Sequence, residues 1–198
     1  RFLKEQKIHP KYVFNADGLS KSEYRVIMKE LNKGVAYNVT PCQKEGHTLR
    51  TRSGHCCQCN TATLGFQKRN DSGGIVYIAG SLTGELVKIG FSKAVEVRAE
   101  SLNRTKYAGF NDWKILYALK SKNAGRIETK ANSLLHEYAF SVDYEHDGHW
   151  QDSSETYHCA YSKAKEFVEK TYKLENYEIN IERNSPTEKY EFRNLKKL

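Results

Sequence analysis

Gly74-Ile75-Val76-Tyr77-Ile78-Ala79, then Gly80-Ser81-Leu82-Thr83-Gly84, then Leu86-Val87-Lys88-Ile89-Gly90: two apolar, β-branched runs stand on either side of a glycine-flanked turn. Runs of this composition around such breakers predict a β-hairpin. A two-residue connection at Leu82-Thr83 would set Tyr77 directly opposite Lys88, each five residues from its end of the turn. If the turn shifts by one residue on both sides, the two become diagonal neighbours on the same face. Opposed Cβ atoms lie about 4.5–5.5 Å apart, so an ammonium there would favour tyrosinate and lower a reference pKa of about 10. Taken alone, Tyr beside Lys is an ordinary cross-strand pair.

Working outward, the pattern alternates strands and helices. Ser92 can cap a helix carrying Val95, Ala99 and Leu102 on one face, and Trp113, Ile115, Tyr117 and Leu119 alternate as a third strand. Ile127, Ala131, Leu134, Leu135 and Tyr138 make an amphipathic helix. Residues 141–156 read as a polar loop holding His146 and His149. Ala164, Phe167, Val168 and Tyr172 mark a last helix, and strand content is expected around Tyr177 to Ile181. Upstream, Ser20 is a candidate N-cap for a helix with Tyr24, Ile27, Met28 and Leu31, stopped by Asn32-Lys33-Gly34. Residues 67–73 read as a linker. The chain thus divides into an arm and helix (1–40), a Cys/His module (41–66), a core (74–160) and a C-terminal helix and tail (161–198).

Two charged residues stand out after the hairpin. Arg98 follows Val95 by three and precedes Leu102 by four, so it flanks the buried stripe of its helix. A guanidinium aimed there needs an anion, a scissile phosphate or a carboxylate such as Glu96, unless it snorkels to solvent. Glu128, next to Ile127, sits near a helix N-terminus, where a carboxylate is favoured in any case. Read functionally, it is the sole protein carboxylate on a Mg²⁺ otherwise held by water and phosphate oxygens.

Formal net charge is +8, and it is unevenly spread. The first 72 residues hold 13 of the 32 Lys/Arg but only 6 of the 24 Asp/Glu, nearly all of the excess. That asymmetry points to a polyanion, nucleic acid before a membrane surface. No apolar run approaches the roughly 20 residues of a span, mean hydropathy is -0.75, and nothing at the start reads as a secretory signal.

Four of the five cysteines lie between Cys42 and Cys59, a spacing suited to a metal knot in a reducing, cytoplasmic setting. Cys42-x4-His47-x8-Cys56-x2-Cys59 offers two close ligand pairs for a tetrahedral structural Zn²⁺, with His55 and Cys57 as alternative ligands. Gly46 and Gly54 fall where tight turns are needed. Arg50 and Arg52 inside the loop, with Lys68 and Arg69 beyond it, are the candidate phosphate contacts.

Ile75-Val76-Tyr77, Lys88-Ile89-Gly90, Arg98 and Glu128, in that order, resemble the GIY-YIG nuclease superfamily, in the branch where lysine replaces the second motif tyrosine. The likeness runs from about Gly74 to about Tyr138, with weaker echoes at Tyr107-Ala-Gly and Asp112-Trp113. Val76 interrupts the first motif. The resemblance implies an α+β fold, a small three-stranded antiparallel sheet flanked by helices, with all four side chains on one catalytic face. It also implies roles: Tyr77 as general base or relay, Lys88 activating it, Arg98 on the phosphate, and Glu128 holding Mg²⁺ or Mn²⁺. Gly90 would permit close packing, and His136, Glu155 and His158 are weak candidates for a further polar residue. The expected function is a metal-dependent DNA endonuclease, restriction-type or mobile-element-associated. A homodimer or two successive events would then cut both strands. The alternative is a non-catalytic zinc-containing nucleic-acid-binding protein on a degenerate nuclease fold.

Overall fold

The structure is a computed structural model that describes residues 1–185 and 187–197; Pro186 and Leu198, both in the expected C-terminal segment, lie outside the described residues. The chain forms two compact units, Arg1–Arg69 and Asn70–Leu198.

The first unit contains α1 (Phe2–Glu5), β1 (Val13–Asn15), α2 (Lys21–Glu30), β2 (Val35–Tyr37), β3 (Arg50–Thr51) and α3 (Ala62–Asn70). Ser20 opens α2 in a reciprocal capping box, its hydroxyl taking the Glu23 N–H while the Glu23 carboxylate takes the Ser20 N–H at 2.8 Å. Tyr24 and Met28 on the inner face of α2 pack on Ala16, Ala36 and Val39. Because β3 pairs with β2, the Cys/His segment and the residues before it share one small sheet. Residues 67–70, expected in a linker, instead complete α3.

The second unit contains β4 (Gly74–Ser81), β5 (Leu86–Ser92), α4 (Val95–Arg104), β6 (Lys114–Ser121), α5 (Ala124–Leu134), β7 (Asp143–His146), β8 (His149–Asp152), β9 (Thr156–Tyr157), α6 (Tyr161–Leu174) and β10 (Asn180–Asn184). The fold is α+β. Strands β6-β4-β5 are the expected antiparallel trio, and β10 and β9 extend it to a five-stranded sheet, order β10-β6-β4-β5-β9. Residues 141–156 are not a loop throughout, because β7 and β8 form a hairpin whose Tyr144 ring packs edge-on against Tyr107 at 5.3 Å. Nor does Ser92 cap α4; the N-cap is Ala94, and Ser92 Oγ instead takes the Ala94 N–H at 3.1 Å.

Both faces of this sheet are covered. Val76, Ile78, Val87 and Ile89 face Ala124, Ile127 and Ala131 of α5 and Ala164 and Val168 of α6. Ile75, Tyr77 and Ala79 face Val95 and Leu102 of α4. A bulge in β6 splits the stripe that reads as one face in sequence: Ile78 pairs with Tyr117 but Ala79 pairs with Ile115. Trp113 and Ile115 therefore join the α4 side, and Tyr117 and Leu119 the α5 side.

The hairpin register differs from the two-residue turn. Ser81 pairs with Leu86, leaving Leu82–Glu85 as the connection, so Tyr77 faces Gly90 and Lys88 faces Ala79. Tyr77 and Lys88 are thus diagonal neighbours on the α4 face. The physical reason is remote from the hairpin: the Asp112 carboxylate accepts from Ser81 Oγ at 2.5 Å, from the Thr83 N–H at 2.8 Å and from Thr83 Oγ1 at 3.0 Å, clasping the longer turn. Opposite Tyr77 only glycine fits, since a Cβ on residue 90 would lie 2.3 Å from the Tyr77 hydroxyl oxygen. The ring is fully buried and its hydroxyl is engaged, so it has little room to yield. Gly90→Ala is expected to cost about 1–3 kcal/mol by overpacking, read as a lower urea midpoint with unchanged slope; an unaltered midpoint would show that the ring moves aside freely.

Candidate active site and metal centre

On the α4 face, Tyr77, Lys88 and Arg98 come together with Tyr107 and Glu155. Arg98 Nε donates to the Tyr77 hydroxyl at 3.0 Å. Among the described residues, the two terminal nitrogens of Arg98 make no hydrogen bond or ion pair, so the fork of the guanidinium is left for an anion. Lys88 is almost completely buried, 1% exposed, and donates to Glu155 Oε2 at 2.8 Å and to Tyr107 Oη at 3.3 Å. Its ammonium also lies 4.6 Å from the centre of the Tyr107 ring, an added cation–π contact. Tyr107 in turn donates its hydroxyl proton to the Ser154 carbonyl.

The electrostatics reverse one expectation. Burial pushes the Tyr77 phenol above its ordinary value, and the Arg98 guanidinium only partly offsets this; tyrosinate is disfavoured. The lysine is not the group that tunes it, because the shifted register holds its ammonium against Glu155 and Tyr107 instead. Burial also drives Lys88 below the ordinary lysine value, with the Glu155 carboxylate pulling the other way.

Glu128 is carried by α5, whose stripe Ala124, Ile127 and Ala131 packs on the opposite face of the sheet. The single-face arrangement therefore holds for Tyr77, Lys88 and Arg98, while Glu128 comes from the other helix layer. Its charge still acts on both Tyr77 and Lys88, raising each. Glu128 is 3% exposed, and Oε1 accepts from Asn132 Nδ2 at 3.1 Å. Asn132 is itself oriented by the Tyr157 hydroxyl, which donates to its Oδ1 at 2.8 Å. A buried carboxylate fixed by a second layer of neutral donors suits a hard divalent cation.

Of the weak candidates, Glu155 belongs to the cluster and the histidines do not. His136 is exposed, and the His158 ring packs tilted against Phe140, centroids 4.1 Å apart. His146 Nε2 lies 3.4 Å from Asp147, and His149 is exposed. Glu155 sits in the left-handed region at φ +67, a costly backbone for a residue with a Cβ. That strain, which aims the carboxylate at a buried lysine, has no signature in sequence. Asn132 was not expected at all; its position four residues after Glu128, one helical turn on, was the available signal. Of the other echoes, Asp112 works through the turn clasp, and Trp113 Nε1 donates to the Tyr107 carbonyl at 2.9 Å, steadying that segment.

In the first unit the donor atoms of Cys42, His47, Cys56 and Cys59 all lie within 4.8 Å of one another, and the four could hold a zinc ion. Cys42 Sγ is 3.6 Å from Cys59 Sγ, and His47 Nδ1 is 3.9, 3.7 and 3.4 Å from the sulfurs of Cys42, Cys56 and Cys59. Tetrahedral zinc with ordinary Zn–S and Zn–N bonds requires edges of about 3.5–3.8 Å. Backbone N–H groups of Glu45 and Cys59 point at the sulfurs of Cys42 and Cys56, at 3.4 and 3.5 Å. Gly46 and Gly54 take φ of +67 and +88, which supplies the sharp turns. The alternative ligands are otherwise engaged. Cys57 is buried against Val35 and Leu64, where burial pushes its thiol up to about 12, and His55 Nδ1 lies 2.9 Å from Ser53 Oγ.

Three of the four basic candidates of this unit donate to backbone carbonyls. Arg50 donates to the carbonyls of His47, Leu49 and Thr40, lacing the ligand loop together. Arg52 Nε donates to the Lys33 carbonyl at 3.0 Å, and Lys68 Nζ to the Gln6 carbonyl. Lys68 and Arg69 are exposed.

Residues 74–172 match the T5orf172 domain, half of the chain, and the protein belongs to the T5orf172 domain family. That stretch runs from the first residue of β4 nearly to the end of α6. The family is associated with endonuclease-like proteins, which fits a nuclease-like second unit. No curated protein and no solved structure matches the chain. Among the described residues, no helix is long and apolar enough to cross a membrane.

Proposed function

We propose that the protein is a metal-dependent DNA endonuclease of GIY-YIG type, with its catalytic groups in the second unit and a zinc-bearing, basic first unit that grips DNA. The observation that carries this reading is Arg98: anchored through Nε to a buried tyrosine, it keeps its terminal nitrogens unbonded beside Lys88 on the same sheet face. A half-buried guanidinium, fixed through Nε and with an open fork, is suited to the charge that builds on a scissile phosphate.

Tyr77 remains a phenol in this scheme. Its oxygen accepts from Arg98, so its proton is available to a phosphate oxygen or to the attacking water. The base is Lys88, the buried group whose neutral form is brought closer to neutral pH. Glu155 and Tyr107 orient its amine, and Glu155 provides a route for the proton toward solvent, being 26% exposed. Glu128 would hold a Mg²⁺ or Mn²⁺ ion, which when bound supplies positive charge for the leaving oxygen. Arg50, Arg52, Lys68 and Arg69 are proposed phosphate contacts of the first unit. The reading extends to an intracellular restriction or mobile-element enzyme that acts as a dimer or in two successive cuts.

The direct test is cleavage of heterogeneous plasmid and genomic DNA with Mg²⁺ or Mn²⁺, followed by sequencing of the fragment ends. Intact DNA across varied substrates, with binding retained, would establish the non-catalytic alternative. A pH profile tests the assignment of the base. Cleavage should rise with pH along a limb that ends below the ordinary lysine value, as Lys88 loses its proton. Lys88→Arg, which stays charged, should abolish the limb, and Tyr77→Phe should slow the reaction while preserving it. A limb that disappears with Tyr77→Phe instead would return the base role to tyrosine.

A further inference from the structure

At the end of the central sheet where β4 begins, an open cavity of about 590 Å³ is lined by Gly73, Gly74, Lys93, Lys120, Lys122 and Glu178, among others. Three lysines and one glutamate are among its lining residues. Among the described residues none of the three makes an ion pair, and Lys93 Nζ donates to the Gly73 carbonyl at 2.5 Å. Three cationic side chains around one open cavity favour an anion as its occupant.

The register connects this cavity to the candidate catalytic face. Lys120 pairs with Ile75, and two residues further along β4 Tyr77 pairs with Ala118. Directly paired residues point to the same side of a sheet, so Lys120 is on the side of Tyr77, Lys88 and Arg98. Lys93 lies just before α4, the helix that carries Arg98. Two strand residues span about 7 Å, so the cavity adjoins the catalytic cluster along the strand.

We propose that Lys93, Lys120 and Lys122 form a phosphate-binding subsite for the DNA backbone, beside the bond that is cut. The inference rests on the nuclease reading and names where its substrate continues beyond the catalytic cluster. The subsite recognises charge and spacing and carries no base specificity.

The test uses the full-length chain and a fluorescent duplex drawn from a sequence that the wild type cleaves or retains. Binding is measured without divalent metal at several salt concentrations, so no cleavage is required. Lys120→Gln with Lys122→Gln changes two exposed side chains, and circular dichroism verifies the fold. The expected result is severalfold weaker binding and a salt dependence, log K against log salt, shallower by about 1.8, at roughly 0.9 per lost phosphate contact. In the cleavage assay KM should rise with kcat nearly unchanged. Equal affinity and an equal salt slope in the double variant would overturn the subsite while leaving the nuclease reading in place. Failure of the wild type itself to bind any duplex would overturn the nuclease reading, and the subsite with it.

Discussion

Glu128→Gln is expected to lower DNA cleavage by about a thousandfold while the protein stays folded and still binds its substrate. The substitution keeps an oxygen for the Asn132 amide, which now donates to Glu128 Oε1 at 3.1 Å, but removes the charge that would hold the metal. A metal's contribution to transition-state stabilisation is several kcal/mol, and each 1.36 kcal/mol is tenfold in rate. Glu128→Ala should abolish cutting as well, with an added loss of stability because the side chain is buried. Single-turnover cleavage, an electrophoretic binding assay and a thermal melt together give the answer. Retained cleavage in the glutamine variant would remove Glu128 from the metal site.

Removal of zinc is expected to unfold the first unit. Its apolar clusters are small, one built around Ala16, Tyr24, Met28, Ala36 and Val39 and another around Val35, Cys57 and Leu64. A core of that size needs a staple. Zinc binding of roughly 10 kcal/mol or more supplies one, because the ligands are unlikely neighbours in an unfolded chain and metal affinity becomes folding energy. Purified protein should carry one zinc per chain by elemental analysis. Cys59→Ser, or a strong chelator, should abolish that stoichiometry, erase the unfolding transition of the first unit and weaken DNA binding. A melt and a binding curve unchanged after verified metal loss would sink the structural-zinc assignment.

The readable part of the molecule is that in which neighbours in sequence are neighbours in space. The β4–β5 hairpin, the Ser20 N-cap of α2 and the Cys42, His47, Cys56, Cys59 set all follow from short spacings and local chemistry. So does the candidacy of Tyr77, Lys88, Arg98 and Glu128, whose side-chain types and order suffice to nominate them. The α+β class follows as well, because periods of 2 and 3.6 alternate along residues 74–174.

The rest depends on contacts distant in sequence. A carboxylate at Asp112 sets the turn at Leu82–Glu85 and hence the register that takes Lys88 away from direct opposition to Tyr77. A single bulged residue in β6 divides an apparently uniform stripe between two faces. Glu155 meets Lys88 across 67 positions, and burial, a property of the whole packed unit, pushes Tyr77 above and Lys88 below their ordinary values. The sequence by itself determined which chemical groups the protein has and the elements that carry them. Only the tertiary structure decided their partners, their burial and the direction in which their pKa values shift, because these arise from long-range packing that no local pattern encodes.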